Sequence, residues 1–253
     1  CVTEEILLEL NQPDQLESSF STIDVLCNGG NNGSITILIE GGSPTYTTFL
    51  GGESINMIEQ SGNNIVFEGL AAGDYYFTPL DQNGCMVTTQ EVLFSINEPP
   101  PLQITETPSD YNGYGISCNG GNDGFINITV IGGAENYTYL WNDGVTTKDR
   151  DDLEAGTYAV VATDQNGCEI DAVVILDPPP PLQITETPSD YNGYGVSCNG
   201  ENDGSIEITV TGGAENYTYL WNNGVTTKDR DGLEAGTYTV VATDQNGCEI
   251  ELE

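Results

Sequence analysis

Seven cysteines and a recurring set of Asp- and Asn-rich turns carry most of the chemistry available to this 253-residue sequence. The cysteines stand at Cys1, Cys27, Cys85, Cys118, Cys168, Cys198 and Cys248, each at least 26 residues from the next. Zinc clips need pairs two to four residues apart, so this spacing reads as a disulfide framework and points to an oxidising, extracellular setting. The acidic turns flank the cysteines: Cys118-Asn-Gly-Gly-Asn122-Asp123-Gly, Asp164-Gln-Asn166-Gly-Cys168 and Asp244-Gln-Asn246-Gly-Cys248. Their hard oxygen donors suit Ca2+. Asn-Gly and Asp-Gly also make tight turns with no ligand at all.

Other chemistries are excluded by what the chain lacks. Histidine is absent, which removes the usual general base, Ser-His-Asp triads and His-based zinc sites. Forty Asp and Glu against four Lys and Arg give a net charge of -36, which repels nucleic acid and anionic membrane surfaces. No apolar run approaches the roughly 20 residues of a membrane span. Asp149 and Asp151 could be paired as acid and base, but they stand in a polar stretch beside Lys148 and Arg150 with no pocket implied. An enzyme is not expected. The chain starts at Cys1 without Met or a signal peptide, and reads as a window on something longer.

The elements that must position these residues are repeated. Residues 102–173 align with 182–253 without a gap and differ at 11 of 72 positions. A divergent earlier copy shares Cys27-Asn-Gly-Gly-Asn-Asn-Gly and Asp81-Gln-Asn-Gly-Cys85, with 58 residues from cysteine to cysteine against 50 in the later copies, eight extra. Residues 1–12 match the stretch immediately after the Asn-Gly-Cys landmark, and so correspond to the last strand of a preceding repeat. The copies then run 13–98, 99–178 and 179–253, the last with its exit strand cut short. Pro99 to Pro101 and Pro178 to Pro181 mark the joints, since proline leaves central strands and stiffens linkers.

Alternation within a copy predicts short strands. Ile206, Ile208 and Val210 face one way, Tyr217, Tyr219 and Trp221 share a face after Gly212-Gly213, and Tyr238, Val240 and Ala242 do the same before Asp244. Six or seven such strands in about eighty residues, with turns every eight to twelve, predict an all-β fold of tandem immunoglobulin-like Greek-key β-sandwiches. Trp141, Trp221, Tyr158 and Tyr238 are the expected core aromatics; a sugar-stacking role is the alternative for the tryptophans.

The string Cys198-Asn-Gly-Glu-Asn-Asp-Gly-Ser-Ile, Gly212-Gly, Tyr217-Thr-Tyr-Leu-Trp221, Leu233-Glu-Ala-Gly-Thr-Tyr238 and Thr243-Asp-Gln-Asn-Gly-Cys248 resembles the SprB-type repeat of Bacteroidetes surface proteins, and more distantly the PKD domain. The first copy departs from it, with Tyr46-Thr-Thr-Phe-Leu50 in place of the Trp-bearing strand. The resemblance implies a very long cell-surface adhesin of gliding motility, exported by type IX secretion.

In an immunoglobulin-like module the two cysteines of one copy sit at opposite poles, because the intervening strands alternate in direction. A strand of six or seven residues spans roughly 20 Å, whereas a disulfide needs Cα atoms within about 7 Å. Head-to-tail neighbours offer other partners: Cys27 with Cys168 and Cys118 with Cys248, leaving Cys1, Cys85 and Cys198 to modules outside the window. The intramodule pairs Cys27–Cys85, Cys118–Cys168 and Cys198–Cys248 remain the alternative. The same joints would gather Asn122, Asp123, Asp164, Asn166, Asp244 and Asn246 as calcium ligands. The expected partners are neighbouring repeats, copies of the chain itself in a filament, and surface polysaccharide or the substratum. The expected role is length and stiffness in an adhesin; a surface filament or sheath and a glycan-binding module are the alternatives.

Overall fold

The computed structural model describes residues 8–51, 59–87 and 92–252. The first sandwich holds β1 (Glu17–Ile23), β2 (Gly33–Glu40), β3 (Thr47–Gly51), β4 (Glu59–Ser61), β5 (Asn64–Leu70), β6 (Gly73–Leu80) and β7 (Val92–Ile96). Its sheets run β1-β2-β5-β4 and β3-β6-β7, with antiparallel pairs throughout. Read as strands A to G, this is the A-B-E-D and C-F-G arrangement of a constant-type immunoglobulin sandwich. The eight-residue surplus between Cys27 and Cys85 falls where β4, the D strand, has been added.

The second sandwich holds β8 (Gln103–Pro108), β9 (Gly124–Ile131), β10 (Thr138–Trp141), β11 (Arg150–Leu153), β12 (Gly156–Thr163) and β13 (Glu169–Leu176). The third holds β14 (Gln183–Pro188), β15 (Gly204–Thr211), β16 (Thr218–Trp221), β17 (Arg230–Leu233), β18 (Val240–Thr243) and β19 (Glu249–Leu252). Their sheets are β8-β9-β11 with β10-β12-β13, and β14-β15-β17 with β16-β18-β19, which is A-B-E against C-F-G in both. By contact the chain divides into two compact units. One is Cys1–Gln103 with Ile131–Tyr137 and Thr163–Glu169; the other is Ile104–Val130, Thr138–Ala162 and Ile170–Glu253.

Period-two alternation places the cores. Ile35, Ile37 and Ile39 on β2, Ile126 and Ile128 on β9, and Ile208 on β15 are fully buried. Those of β2 share their core with Phe67 and Phe77. In the later sandwiches Trp141 and Trp221 fill the corresponding space at 2% exposure. Each indole Nε1–H donates to a backbone oxygen, of Thr147 or Thr227, at 2.8 Å. Burying an indole requires such a partner, and it leaves no ring face for stacking a sugar. Arg150 and Arg230 lie 5.3 Å from the Trp141 and Trp221 ring centres. Two of the chain's four cations are therefore committed to bracing tryptophan. Arg150 is folded inward and not part of a solvated stretch, and neighbouring Asp149 accepts the Ile128 N–H.

Tyr158 and Tyr238, expected in the core, are half-buried at its edge. Their hydroxyls donate to the carbonyls of Glu154 at 2.8 Å and Glu234 at 2.9 Å, as Tyr75 does to Ala71 at 3.0 Å. This is the tyrosine corner of the immunoglobulin fold, in which the phenol must reach back over the E–F turn. Burial pushes the Tyr158 phenol above its usual range.

Near-identical sequence does not give identical strands. Gly156–Thr163 is eight residues of β12, whereas the matching stretch from Gly236 contributes only Val240–Thr243 to β18. β13 is described to Leu176 and β19 to Leu252, which pairs with Val240. In both sandwiches the strand preceding the turn still bonds back, Asn142 N–H to the Ala159 carbonyl and Asn222 N–H to the Thr239 carbonyl.

Candidate functional site

The cysteine-bearing loops are built by their acidic residues. Asp164 Oδ1 accepts the N–H groups of Asn166 and Cys168, closing the F–G turn, and its Oδ2 accepts Ala134 N–H from the B–C loop at 2.8 Å. Asp244 makes the same three bonds to Asn246, Cys248 and Ala214, and Asp81 to Asn83, Cys85 and Ser43. Burial alone would raise the Asp164 pKa, but the amides of Ala134, Cys168 and Asn166 outweigh it and hold the carboxyl below the usual range. The amide of Ser43, then that of Cys85, does the same for Asp81. Each Asp thus pins one turn to another and fixes a cysteine at the turn's end.

The A–B loop is made differently. Gly121 N–H returns to the Cys118 carbonyl, and Asp123 Oδ1 accepts Ser117 N–H at 3.0 Å. Before it, Asn112 and Gly113 take φ of 55° and 91°, the left-handed pair of a type I′ hairpin, so Tyr111 and Tyr114 bond each other across the turn. The Tyr111 hydroxyl donates to the Asp123 carbonyl, stitching hairpin to loop.

These loops meet in a recurring joint. Within the first unit Cys27 is bonded to Cys168, with Cα atoms 5.7 Å apart; within the second Cys118 is bonded to Cys248, at 5.6 Å. In both, an Asn of the F–G turn donates to the carbonyl just before the A–B cysteine: Asn166 to Leu26 at 2.9 Å and Asn246 to Ser117 at 3.0 Å. In both, the Asn after that cysteine donates to a linker proline, Asn28 to Pro99 and Asn119 to Pro179. The second joint adds bonds from Gln245 to Asn112 and between Asn112 and Asn246. A cavity of about 520 Å3 opens beside its disulfide, walled by Pro179 to Leu182 and by Glu249 and Ile250.

Cys118 and Cys168 of one module are bonded to different partners and not to each other. Cys85 and Cys198 carry free, exposed thiols. Cys1 lies outside the described residues. Around Cys198 the loop is already shaped: Asn192 and Gly193 repeat the hairpin with φ of 58° and 91°, and the Tyr191 hydroxyl donates to the Asp203 carbonyl. Yet Tyr191 and Tyr194 are 39% and 73% exposed, whereas Tyr111 and Tyr114 at the filled joint are half-buried.

Of the expected calcium ligands, Asp123, Asp164 and Asp244 turn carboxylate oxygens onto amides of their own module, and Asn166 and Asn246 donate their side-chain amides to carbonyls. Among the described residues no group of three or more acidic or Cys side chains is placed to hold a metal. Sequence reasoning missed both this stapling and the tyrosine corner; the Leu-Glu-Ala-Gly-Thr-Tyr spacing was the available signal for the latter.

Strand order and a Trp or Phe core between two sheets define the chain as a tandem array of immunoglobulin-like sandwiches. The family model for the SprB repeat matches it at residues 19–47, 116–146 and 196–226, once in each sandwich. The chain therefore carries three SprB-type repeat matches. No curated protein matches it by sequence. Among solved structures it is similar to a C-terminal intimin fragment bound to the translocated intimin receptor intimin-binding domain (14% identity, 71% of each chain, TM-score 0.33). It is also similar to the N-terminal eight domains of Down Syndrome Cell Adhesion Molecule (10%, 96% of this chain and 45% of that one, 0.38) and to the Yersinia pseudotuberculosis adhesin InvE (13%, 64% and 60%, 0.25). These scores are low, and the fold assignment rests on the strand order.

Proposed function

We propose that this chain is a structural segment of an extracellular cell-surface protein, in which each repeat is laced to the next so that the array gives length and stiffness to an adhesin contacting the substratum in attachment or gliding. The observation that carries this is the recurrence of one joint, an A–B cysteine bonded to the F–G cysteine of the following module and flanked by the same two asparagine bonds. A disulfide within a module would stabilise that module; a disulfide between modules restricts their relative motion. Cys85 and Cys198 are then the two halves of further joints, an F–G cysteine and an A–B cysteine awaiting modules on either side. Closing each of these joints, thiol to thiol, would release two protons and pass two electrons to an extracellular oxidant. Near-identical neighbours favour copy number over individual site chemistry, and weak sites repeated along a chain gain avidity.

The test is small-angle X-ray scattering of the chain against its Cys27→Ser/Cys118→Ser variant. The variant should populate a broader spread of maximum dimensions with unchanged strand content. Identical scattering curves would remove stiffening as the purpose of the joints.

A surface filament is the second reading: pairing of the exposed free thiols of Cys198 and Cys85 between copies of the chain would join them end to end. Electron microscopy of native surface material separates the two: single threads for the adhesin, ordered helical filaments for the polymer.

A further inference from the structure

The outward face of the C-F-G sheet in the first sandwich differs from that of the later two. Side chains alternate along a strand, so Phe49 and Gly51 on β3, Asp74 and Tyr76 on β6, and Leu93 and Ser95 on β7 share the face turned away from the core. The register sets them in rows: Gly51, Tyr76 and Leu93 lie across all three strands, and Asp74 stands opposite Ser95. Phe49 is 73% exposed, Leu93 70% and Tyr76 38%.

Tyr76 is the least exposed of the three because its ring lies down on the sheet. A Cβ on Gly51 would overlap its Cζ, Cε2 and Cε1 together, and lie nearer to these than to the hydroxyl oxygen. The phenol therefore covers Gly51 with its face and not its edge, as a cross-strand ring does over a strand glycine. One face of the ring is spent on Gly51; the other is turned to solvent. In the next row Ser95 Oγ donates to Asp74 Oδ1 at 2.6 Å, which holds a hydroxyl and a carboxylate together beside the ring.

The later sandwiches lack this arrangement. Tyr75 matches Tyr158 and Tyr238 at the tyrosine corner, so Tyr76 is replaced by Ala159 and Thr239. Tyr46, Tyr137 and Tyr217 match by their bonds to Gly41, Gly132 and Gly212, so Phe49 is replaced by Leu140 and Leu220. Thr157 and Ile175 stand in the second sandwich where Asp74 and Ser95 stand in the first.

We infer that this face binds a neutral, β-linked polysaccharide, with one pyranose ring stacked on Tyr76, a neighbouring sugar against Phe49, and hydroxyls reaching Asp74 and Ser95. The C–H bonds on the face of such a sugar carry partial positive charge and are drawn to the negative face of an aromatic ring, and covering them removes apolar surface from water. Sugar hydroxyls at the ring edge then donate to the Asp74 carboxylate, a charge-assisted bond. An apolar protein surface laid on the same face would strip water from that carboxylate without replacing it. The platform is flat, which suits the ribbon of a β-linked chain, and a net charge of -36 turns anionic glycans away. The inference rests on the adhesin reading, to which it gives a contact surface, and does not depend on the joints.

Affinity electrophoresis of the full chain, in native gels cast with hydroxyethyl cellulose, tests it. The parent should be retarded, and alginate at the same concentration should not retard it. Phe49→Ala and Tyr76→Ala should each weaken binding by about 3- to 10-fold. Phe49 is exposed, so its loss should leave the melting temperature unchanged and separate binding from folding. Leu140→Ala, at the matching position of the second sandwich, should bind like the parent. An unretarded parent, Phe49→Ala binding like the parent, Leu140→Ala weakened as much as Phe49→Ala, or equal retardation by alginate would overturn the inference. If the parent is unretarded while its scattering curve still changes on replacing Cys27 and Cys118, the stiffened array stands and the glycan site alone falls.

Discussion

Cys118 and Cys248 are bonded across 130 residues of sequence, from the A–B loop of one sandwich to the F–G turn of the next. Cys118 does not reach Cys168 in its own module, because an A–B loop and an F–G turn lie at opposite ends of the strands between them.

Replacing Cys118 by Ser should separate module folding from module docking. Cross-linking through a loop of this size constrains the unfolded chain by roughly 2–4 kcal/mol in ordinary cases. Urea unfolding of Cys118→Ser should lose about that much stability, while far-ultraviolet circular dichroism in water stays that of the parent. Loss of strand signal in water would mean that the modules do not fold without their joints.

Acid should loosen the F–G turns. The folded pKa of Asp164 is depressed, as is that of Asp81, so each contributes stability that is fully present above the unfolded carboxylate pKa of about 3.9 and is lost as pH falls through the folded value. Thermal melts from neutral pH downward should fall below about pH 4, and Asp164→Asn should show a shallower decline with a lower melting temperature at neutral pH. A variant with the parental pH profile would contradict the stapling role.

The second and third modules provide a natural comparison at one ion pair. Arg150 lies 2.7 Å from Asp143, whereas Arg230 faces Asn223. Arg150 is 12% exposed and Asp143 43%, so the pair is only partly screened; the Arg150 guanidinium beside Asp143 holds its carboxyl below the usual range. Asn223→Asp should raise the melting temperature of the third module slightly at low salt, with the gain shrinking as salt rises. Calorimetry at two salt concentrations measures it.

Gly115 and Gly195 occupy the same repeat position with opposite tolerance. Gly115→Ala drives a methyl into the Leu176 backbone and should cost about 1–3 kcal/mol, as overpacking does. Gly195→Ala meets open space and should be close to neutral. Equal effects in chemical denaturation would contradict the close packing of Leu176 on Gly115.

Much of this architecture is legible in the sequence because it comes from period. The inward face of β15 is written in Ile206, Ile208 and Val210, and the strand reversals that part Cys118 from Cys168 come from counting strands. The D strand β4 is not legible, since the insertion that holds it has no counterpart in the later copies to align with. For Asp164 and Asp244 sequence gives the donor type, which suits a cation, but not its aim; the amides buried beside them decide the aim. Tyr158 shares a face with Val160 as a core residue would, yet its hydroxyl needs Glu154 and draws the ring to the edge.

Peptide mapping of the non-reduced chain tests the lacing of one module to the next most directly. One fragment joining Cys27 to Cys168 and another joining Cys118 to Cys248 are expected; a fragment joining Cys118 to Cys168 would contradict it.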